Sequence, residues 1–231
     1  MCGRYNIAGP VSLSRAQKKV LDSWDRPIAD LLDQREPQYN VAPTQKAPVI
    51  AVGKQDITVE AMKWGLVPAW SKDGKAGYNT INAKVETFRN SRLYKPAFEK
   101  RRCIVPATGY FEWKGTAPHK QPYNIVAEDR TLLAFAGLWD IWRDHADESA
   151  PPMLTFTIIV GPAGLVAEDI HDRQPIMLPP DTWDGWLTGD PVDASDIIDS
   201  VPVPALTYYP VPKAVGNPRN KGPELIEEVS L

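Results

Sequence analysis

Proline constrains this chain more than any other residue type. Twenty-three prolines interrupt its 231 residues. Each fixes φ and removes a backbone donor, so long helices and long central strands are both disfavoured. Few stretches hold one hydrophobic period for long, and the expected product is many short strands joined by ordered loops. The length allows one large or two small domains with a real core. No internal repeat, low-complexity tract or linker divides it, so one domain over residues 1–231 is the expectation. With 43% hydrophobic and 24% charged residues, the composition is that of a soluble globular protein. No apolar run approaches a membrane span, and no signal-peptide core opens the chain. The two cysteines, Cys2 and Cys103, form no C-x-x-C pair. That argues against a disulfide framework or zinc cage and for a cytoplasmic protein. Neither a metal nor a cofactor is expected.

Ser12 is the expected cap of a helix carrying Leu13, Ala16, Val20, Leu21 and Trp24 at helical spacing. A second helix covers Ile28 to Leu32, and Tyr39–Thr44 reads as an extended turn. Strands are expected over Val49–Val52 and Ile57–Lys63, with a polar turn at 53–56 between them. Further strands follow at Cys103–Pro106, Tyr110–Lys114, Tyr123–Ala127, Thr131–Trp139, Thr155–Val160, Ile176–Leu178 and Leu206–Val211. Short helices fall near Phe88–Leu93, Pro96–Arg101, Asp181–Leu187 and Ala194–Ile198.

The formal net charge of −3 argues against bulk affinity for nucleic acid, but the charges are segregated. Between Lys84 and Arg102 stand seven basic residues (Lys84, Arg89, Arg92, Lys95, Lys100, Arg101, Arg102) against two acidic ones, Glu86 and Glu99. Acidic residues crowd Glu128–Glu148 and Asp181–Asp199 instead. Such a basic run is either a solvated face or the seat of an anionic ligand.

Position 2 carries the most distinctive chemistry. If Met1 is removed, as a small second residue permits, Cys2 presents an α-amine and a thiol on adjacent carbons. Their reference pKa values are about 7.7–8.0 and about 8.5, so both are partly nucleophilic near neutral pH. A 1,2-aminothiol condenses with an aldehyde to an imine, which the thiol then closes to a thiazolidine. The bland alternative is a frayed terminus. Trp64 and Trp70 bracket Trp64-Gly65-Leu66-Val67-Pro68-Ala69-Trp70, as core and corner residues or as a base-stacking platform and duplex wedge. Asn82 is either a helix cap or an amide aimed at a substrate oxygen. Glu112 lies between Phe111 and Trp113 in a strand pattern; on a solvated face it is ordinary, and on a cleft wall its raised pKa makes it a proton shuttle. His119 and His145 sit in polar loops and read as solvent-facing. His171 lies beside an apolar segment, either as a structural hydrogen-bonder or as a proton carrier. Arg173 has the fork that suits phosphate.

Taken together, Met1–Tyr5, Tyr39–Pro43, Trp64–Trp70, Asn82–Thr87, Ser91-Arg92, Gly109–Trp113, Ile170–Pro175 and Ala214–Asn217 resemble, in order, the motifs of the SRAP family, the SOS-response-associated peptidase or abasic-site processing proteins. The resemblance implies a single α+β domain: a strongly bent antiparallel β-sheet closing toward a barrel, with peripheral helices. It implies that Cys2, with Met1 removed, links covalently to the ring-opened aldehyde of an abasic site in single-stranded DNA, with Asn82, Glu112 and His171 completing the catalytic group. Arg4, Asn40, Trp64, Pro68, Trp70, Lys84, Arg92, Arg173 and Asn217 are then the expected DNA contacts. A monomer, nucleoid-associated when bound to DNA, is the matching expectation, with AP lyase and peptidase activities as possible accompaniments. Two residues depart from the family's habit: Lys84 where Arg is common, and Gln174 where Met is frequent, the latter expected as a packing change. The rival classes are an N-terminal-cysteine peptidase or amidohydrolase and a non-catalytic single-strand-binding module.

Overall fold

A computed structural model describes residues 2–53, 56–75, 80–116 and 118–231. Position 1, on which the free-terminus expectation turns, lies outside the described residues, as do Lys54 and Gln55 of the expected 53–56 turn. Twelve described strands build two sheets. They are β1 (Tyr5–Ile7), β2 (Gln38–Val41), β3 (Lys46–Val52), β4 (Ile57–Trp64), β5 (Asn82–Lys84), β6 (Arg102–Ala107), β7 (Gly109–Lys114), β8 (Gln121–Ala127), β9 (Leu133–Trp142), β10 (Met153–Pro162), β11 (Arg173–Pro175) and β12 (Leu206–Pro210).

One sheet runs β11-β10-β4-β3-β6-β9, and β9 pairs back onto β10, so that five strands close into a barrel. The strand β10 makes this closure. It is ten residues long, and successive stretches of it meet β9, β4, β5 and β11. Its pairings with β4 (Phe156 opposite Trp64) and β5 (Ile158 opposite Asn82) are parallel. The barrel is therefore mixed, which corrects the purely antiparallel expectation. The second sheet, β12-β8-β7-β1-β2, is antiparallel throughout.

Side chains alternate across each strand, and here alternation sorts two apolar clusters. Val49, Cys103, Val105, Phe135, Phe156 and Trp64 share one cluster with Tyr5, Tyr110 and Ile125 of the second sheet. Ile50, Ile104, Leu138 and Ile159, on the opposite faces of the same strands, meet the helices instead. Those helices are α1 (Arg15–Leu21), α2 (Ile28–Asp33), α3 (Lys95–Lys100), α5 (Trp183–Thr188) and α6 (Pro191–Ser200); Leu21, Ile28, Phe98, Trp183 and Ile198 are among the residues they contribute, while α4 (Leu165–Glu168) packs Ala167 into the first cluster. Among the described residues no helix is long and apolar enough to cross a membrane.

Several local expectations move. The first helix starts at Arg15, because Ser14, not Ser12, caps it: Ser14 Oγ accepts from Gln17 N, and Gln17 Oε1 accepts from Ser14 N. Tyr39–Val41 belongs to a strand paired with β1 rather than to a turn. The stretch Ile176–Leu178 is not a strand; its ladder is reduced to one bridge, Met177 to Phe135, while the strand proper lies earlier at β11.

Candidate active site

The chain enters the second sheet directly from Cys2. Tyr5 pairs with Tyr110, and Phe111 N–H donates to Arg4 O at 2.9 Å. The same register, continued toward the terminus, sets Gly3 across from Glu112. Cys2 is fully buried. Asn82, the first residue of β5, donates from Nδ2 to the Cys2 carbonyl at 2.7 Å, and Tyr94 Oη donates to the Asn82 carbonyl at 3.1 Å. Asn82 is thus no helix cap; its amide holds residue 2. Burial pushes the Cys2 thiol well above its ordinary value, and the charge of Glu112 adds to the rise.

On β7, Tyr110 faces the barrel cluster while Phe111 faces a separate one formed with Val211, Val215 and Leu225. Alternation therefore turns Glu112 to the side of Tyr110 and Cys2, away from solvent. It is 4% exposed, and burial pushes its carboxyl up to about 7, with the charge of Asp172 acting in the same direction. The cleft-wall reading of Glu112 is the one its surroundings match. His171 is half-buried. Burial lowers its pKa, and the charge of Lys120 acts on both His171 and Glu112. Its Nδ1 lies 3.0 Å from the Arg173 N–H and 2.9 Å from Asp172 Oδ1. One nitrogen cannot accept from the first and donate to the second. The neutral ring, favoured by burial, accepts from Arg173 N and carries its proton on Nε2.

The segment bearing His171 is fastened on both flanks. Asp169 Oδ2 takes Lys114 Nζ at 2.6 Å and Tyr208 Oη at 2.5 Å, tying it to β7 and β12. Arg173 pairs with Glu86 at 2.5 Å, beyond β5. Gln174, 2% exposed, accepts from Gly164 N at 3.0 Å. That position therefore closes the loop with a polar bond, where a packing change was expected.

The expected DNA contacts divide. Trp64 is fully buried, its indole N–H on Ile81 O at 2.9 Å and its ring against Tyr5 and Phe156; it offers no face to a base. Pro68 is buried as well. Asn40 is fully buried and clamps the carbonyls of Val215, Asn217 and Asn220, so it is a brace and not a surface contact. Arg4 donates from Nη1 to Asn40 Oδ1 and Val215 O, both at 2.9 Å, which engages most of its fork within the fold. Asn217 is exposed and accepts on Oδ1 from Arg219 N. Trp70 is 57% exposed with Arg92 over its ring at 5.6 Å, and Lys84 and Arg92 are exposed. The basic run is thinner than its count. Arg102 is buried on the carbonyls of Phe98, Trp186 and Gly189. Arg89 pairs with Asp199 at 2.7 Å and Arg101 with Asp140 at 2.9 Å.

Sequence reasoning passed over Tyr5, Tyr110, Lys120, Lys114 and Asp169. The alternation that singled out Glu112 carried Tyr110 with it. Nothing local marked Asp169, whose partners come from strands remote in sequence. His119 and His145 are exposed, as read.

The molecule is thus a mixed barrel joined to a second sheet, with the cysteine at position 2 buried between the Asn82 amide and the raised-pKa carboxyl of Glu112. The chain belongs to the SOS response associated peptidase (SRAP) family, whose family model matches residues 1–218. It is 33% identical over 233 residues to the abasic site processing protein YoqW of Bacillus subtilis, covering 98% of this chain and 99% of that one. To the abasic site processing protein YedK of Escherichia coli it is 31% identical over 240 residues, covering 99% and 100%. The abasic site processing protein HMCES of Xenopus tropicalis is 30% identical over 230 residues, covering 86% and 68%. Among solved structures, a protein from Bacteroides thetaiotaomicron superposes with a TM-score of 0.77 at 21% identity, covering 99% of this chain and all of that one. A phage-related protein of Bordetella bronchiseptica gives 0.63 at 30% identity, covering 91% and 94%.

Proposed function

We propose that this protein processes abasic sites in single-stranded DNA by forming a covalent crosslink through Cys2. The names of its relatives support the substrate, and one contact carries the mechanism: the 2.7 Å bond from Asn82 to the Cys2 carbonyl, which anchors residue 2 beside Glu112. Once residue 1 is removed, the Cys2 amine attacks C1′ of the open sugar. Glu112, with its pKa near 7, donates the proton that opens the sugar ring, and His171 assists loss of water to the imine. The thiol then adds to the imine carbon and closes the thiazolidine. Burial keeps that thiol protonated, so the amine reacts first and the sulfur second. Holding both groups against the aldehyde supplies much of the advantage over free cysteine. Ring closure also consumes the imine before β-elimination can break the strand. Trp70 and Arg92 form the exposed surface suited to an unpaired strand.

Intact-mass spectrometry after incubation with an abasic single-stranded oligonucleotide tests this. The wild-type chain, with Met1 lost, should gain the mass of the oligonucleotide less one water, in an adduct that survives denaturation. Cys2→Ala should abolish it, and Cys2→Ser should leave at most a labile imine. An undiminished stable adduct from Cys2→Ser would refute the thiazolidine step. Catalytic turnover of a peptide without any DNA adduct would favour the peptidase that the family is named for.

A further inference from the structure

We infer that Tyr110 is a proton-relay residue, carrying the Cys2 thiol proton to Glu112 as the thiazolidine closes; the inference rests on the crosslinking reading above. Among the described residues, Asn82 Oδ1, Tyr5 Oη and Tyr110 Oη are buried near residue 2 without a hydrogen-bond partner. A buried donor left unmade costs about 1–3 kcal/mol, so orphans of this kind are few in native proteins and call for a reason. Three at one place point to partners acquired during the reaction.

Geometry separates the two tyrosines. Both hydroxyls lie in the cluster that contains Cys2. Tyr110, however, stands two residues before Glu112 on one strand, so their side chains leave the same face of β7. The charges of Cys2 and Glu112 both reach the Tyr110 hydroxyl, behind the larger effect of burial. The Tyr5 hydroxyl feels Cys2 and Cys103 instead. Tyr110 is therefore the hydroxyl on which both the Cys2 thiol and the Glu112 carboxyl act.

The step balances as follows. The amine and aldehyde have lost water to give an iminium ion, and Glu112 is ionised, having given its proton to open the sugar. The sulfur forms its bond to the iminium carbon, and the C=N π pair moves onto nitrogen, leaving a neutral ring amine. The S–H proton passes to the Tyr110 oxygen while the Tyr110 O–H proton passes to the Glu112 carboxylate. One positive and one negative charge disappear together, which favours the step in a buried site.

Tyr110→Phe removes only a buried hydroxyl that has no partner among the described residues, so its melting temperature should equal or exceed that of the wild type. Its stable adduct should form at least about tenfold more slowly, in line with loss of an acid–base group. The imine trapped by borohydride, and the strand scission that follows from it, should rise by a matching factor. Equal rate and equal partition in the two proteins would overturn the relay, as would the same defect arising from Tyr5→Phe and not from Tyr110→Phe. Should Tyr110→Phe lose stability, 3-fluorotyrosine at position 110 keeps the shape and acidifies the hydroxyl. A changed closure rate then supports the relay, and an unchanged one removes it. Absence of any adduct from the wild-type chain would instead defeat the crosslinking reading itself.

Discussion

At the scale of single residues, burial decides chemistry. Glu112 carries a carboxyl raised from 4.5 to about 7, which makes it a stability determinant as well as an acid. A folded-state pKa above the unfolded one means that folding binds a proton. The associated stability is complete below pH 4.5 and is lost as pH rises through about 7. Glutamine has the same shape and no such titration. Glu112→Gln should therefore gain on the wild type by about 3 kcal/mol between those pH values, then hold a constant lead. Denaturant midpoints measured across that range would show it, and parallel curves would mean that Glu112 is not titrating in a buried site. The same variant should crosslink slowly at every pH while still binding DNA. Strand alternation made Glu112 legible from sequence, because Phe111 and Trp113 had to face one way and the acid the other. Trp64 and Trp70 were not separable in that manner. They share one motif, but β4 ends on Trp64 and drives it into the core, while Trp70 falls in the loop beyond. Asn40 and Asn82 were equally opaque, since a buried amide that clamps carbonyls has the same letter as one that waits for a ligand.

Among elements, β10 and the loop between β10 and β11 matter most. Hairpins such as β3–β4 and β7–β8 join neighbours in sequence and show as paired apolar runs with a turn between. The parallel contacts of β10 with β4 and β5 have no local sign, because five and four strands respectively intervene in the chain. That is why the family resemblance carried the expectation of a barrel while the parallel pairing that makes it mixed went unread. The loop carrying His171 is held by Asp169 on one flank and Arg173 on the other. The pair Lys114–Asp169 is about half exposed, and exposed pairs contribute little to stability. Its effect belongs to position instead. Asp169→Asn should leave the melting temperature nearly unchanged, yet slow crosslinking at low salt and narrow its difference from wild type at high salt, where the ion pair is screened, as His171 is freed from the strand bearing Glu112. Restoration of the rate by the exchanged pair Lys114→Asp with Asp169→Lys would confirm the strap. A rate in Asp169→Asn equal to wild type, at low and high salt, would discard it.

Across the whole molecule, the start of the chain is secured by its end. Arg4, just ahead of β1, and Asn40 of β2 reach to carbonyls between Val215 and Asn220, and Lys221 Nζ returns to Asn40 O at 2.8 Å. The 3-10 turn over Lys213–Gly216 thus sits on β2 and beside the residues that lead to Cys2. A site built from the first residues of a chain faces fraying, and this clasp opposes it from both termini at once. Asn40→Ala removes three donated bonds and leaves the Arg4 guanidinium short of an acceptor, a loss of about 2–4 kcal/mol. Hydrogen exchange should then accelerate first in residues 213–221 and in 3–6, before the barrel strands respond. The crosslinking rate should fall with it, through a loosened Cys2 and not through any lost contact with DNA, so the affinity for an intact single strand should stay as it was. Protection that vanished uniformly over the barrel would show that Asn40 supports the general core, and a selective loss of DNA affinity would return it to the binding surface.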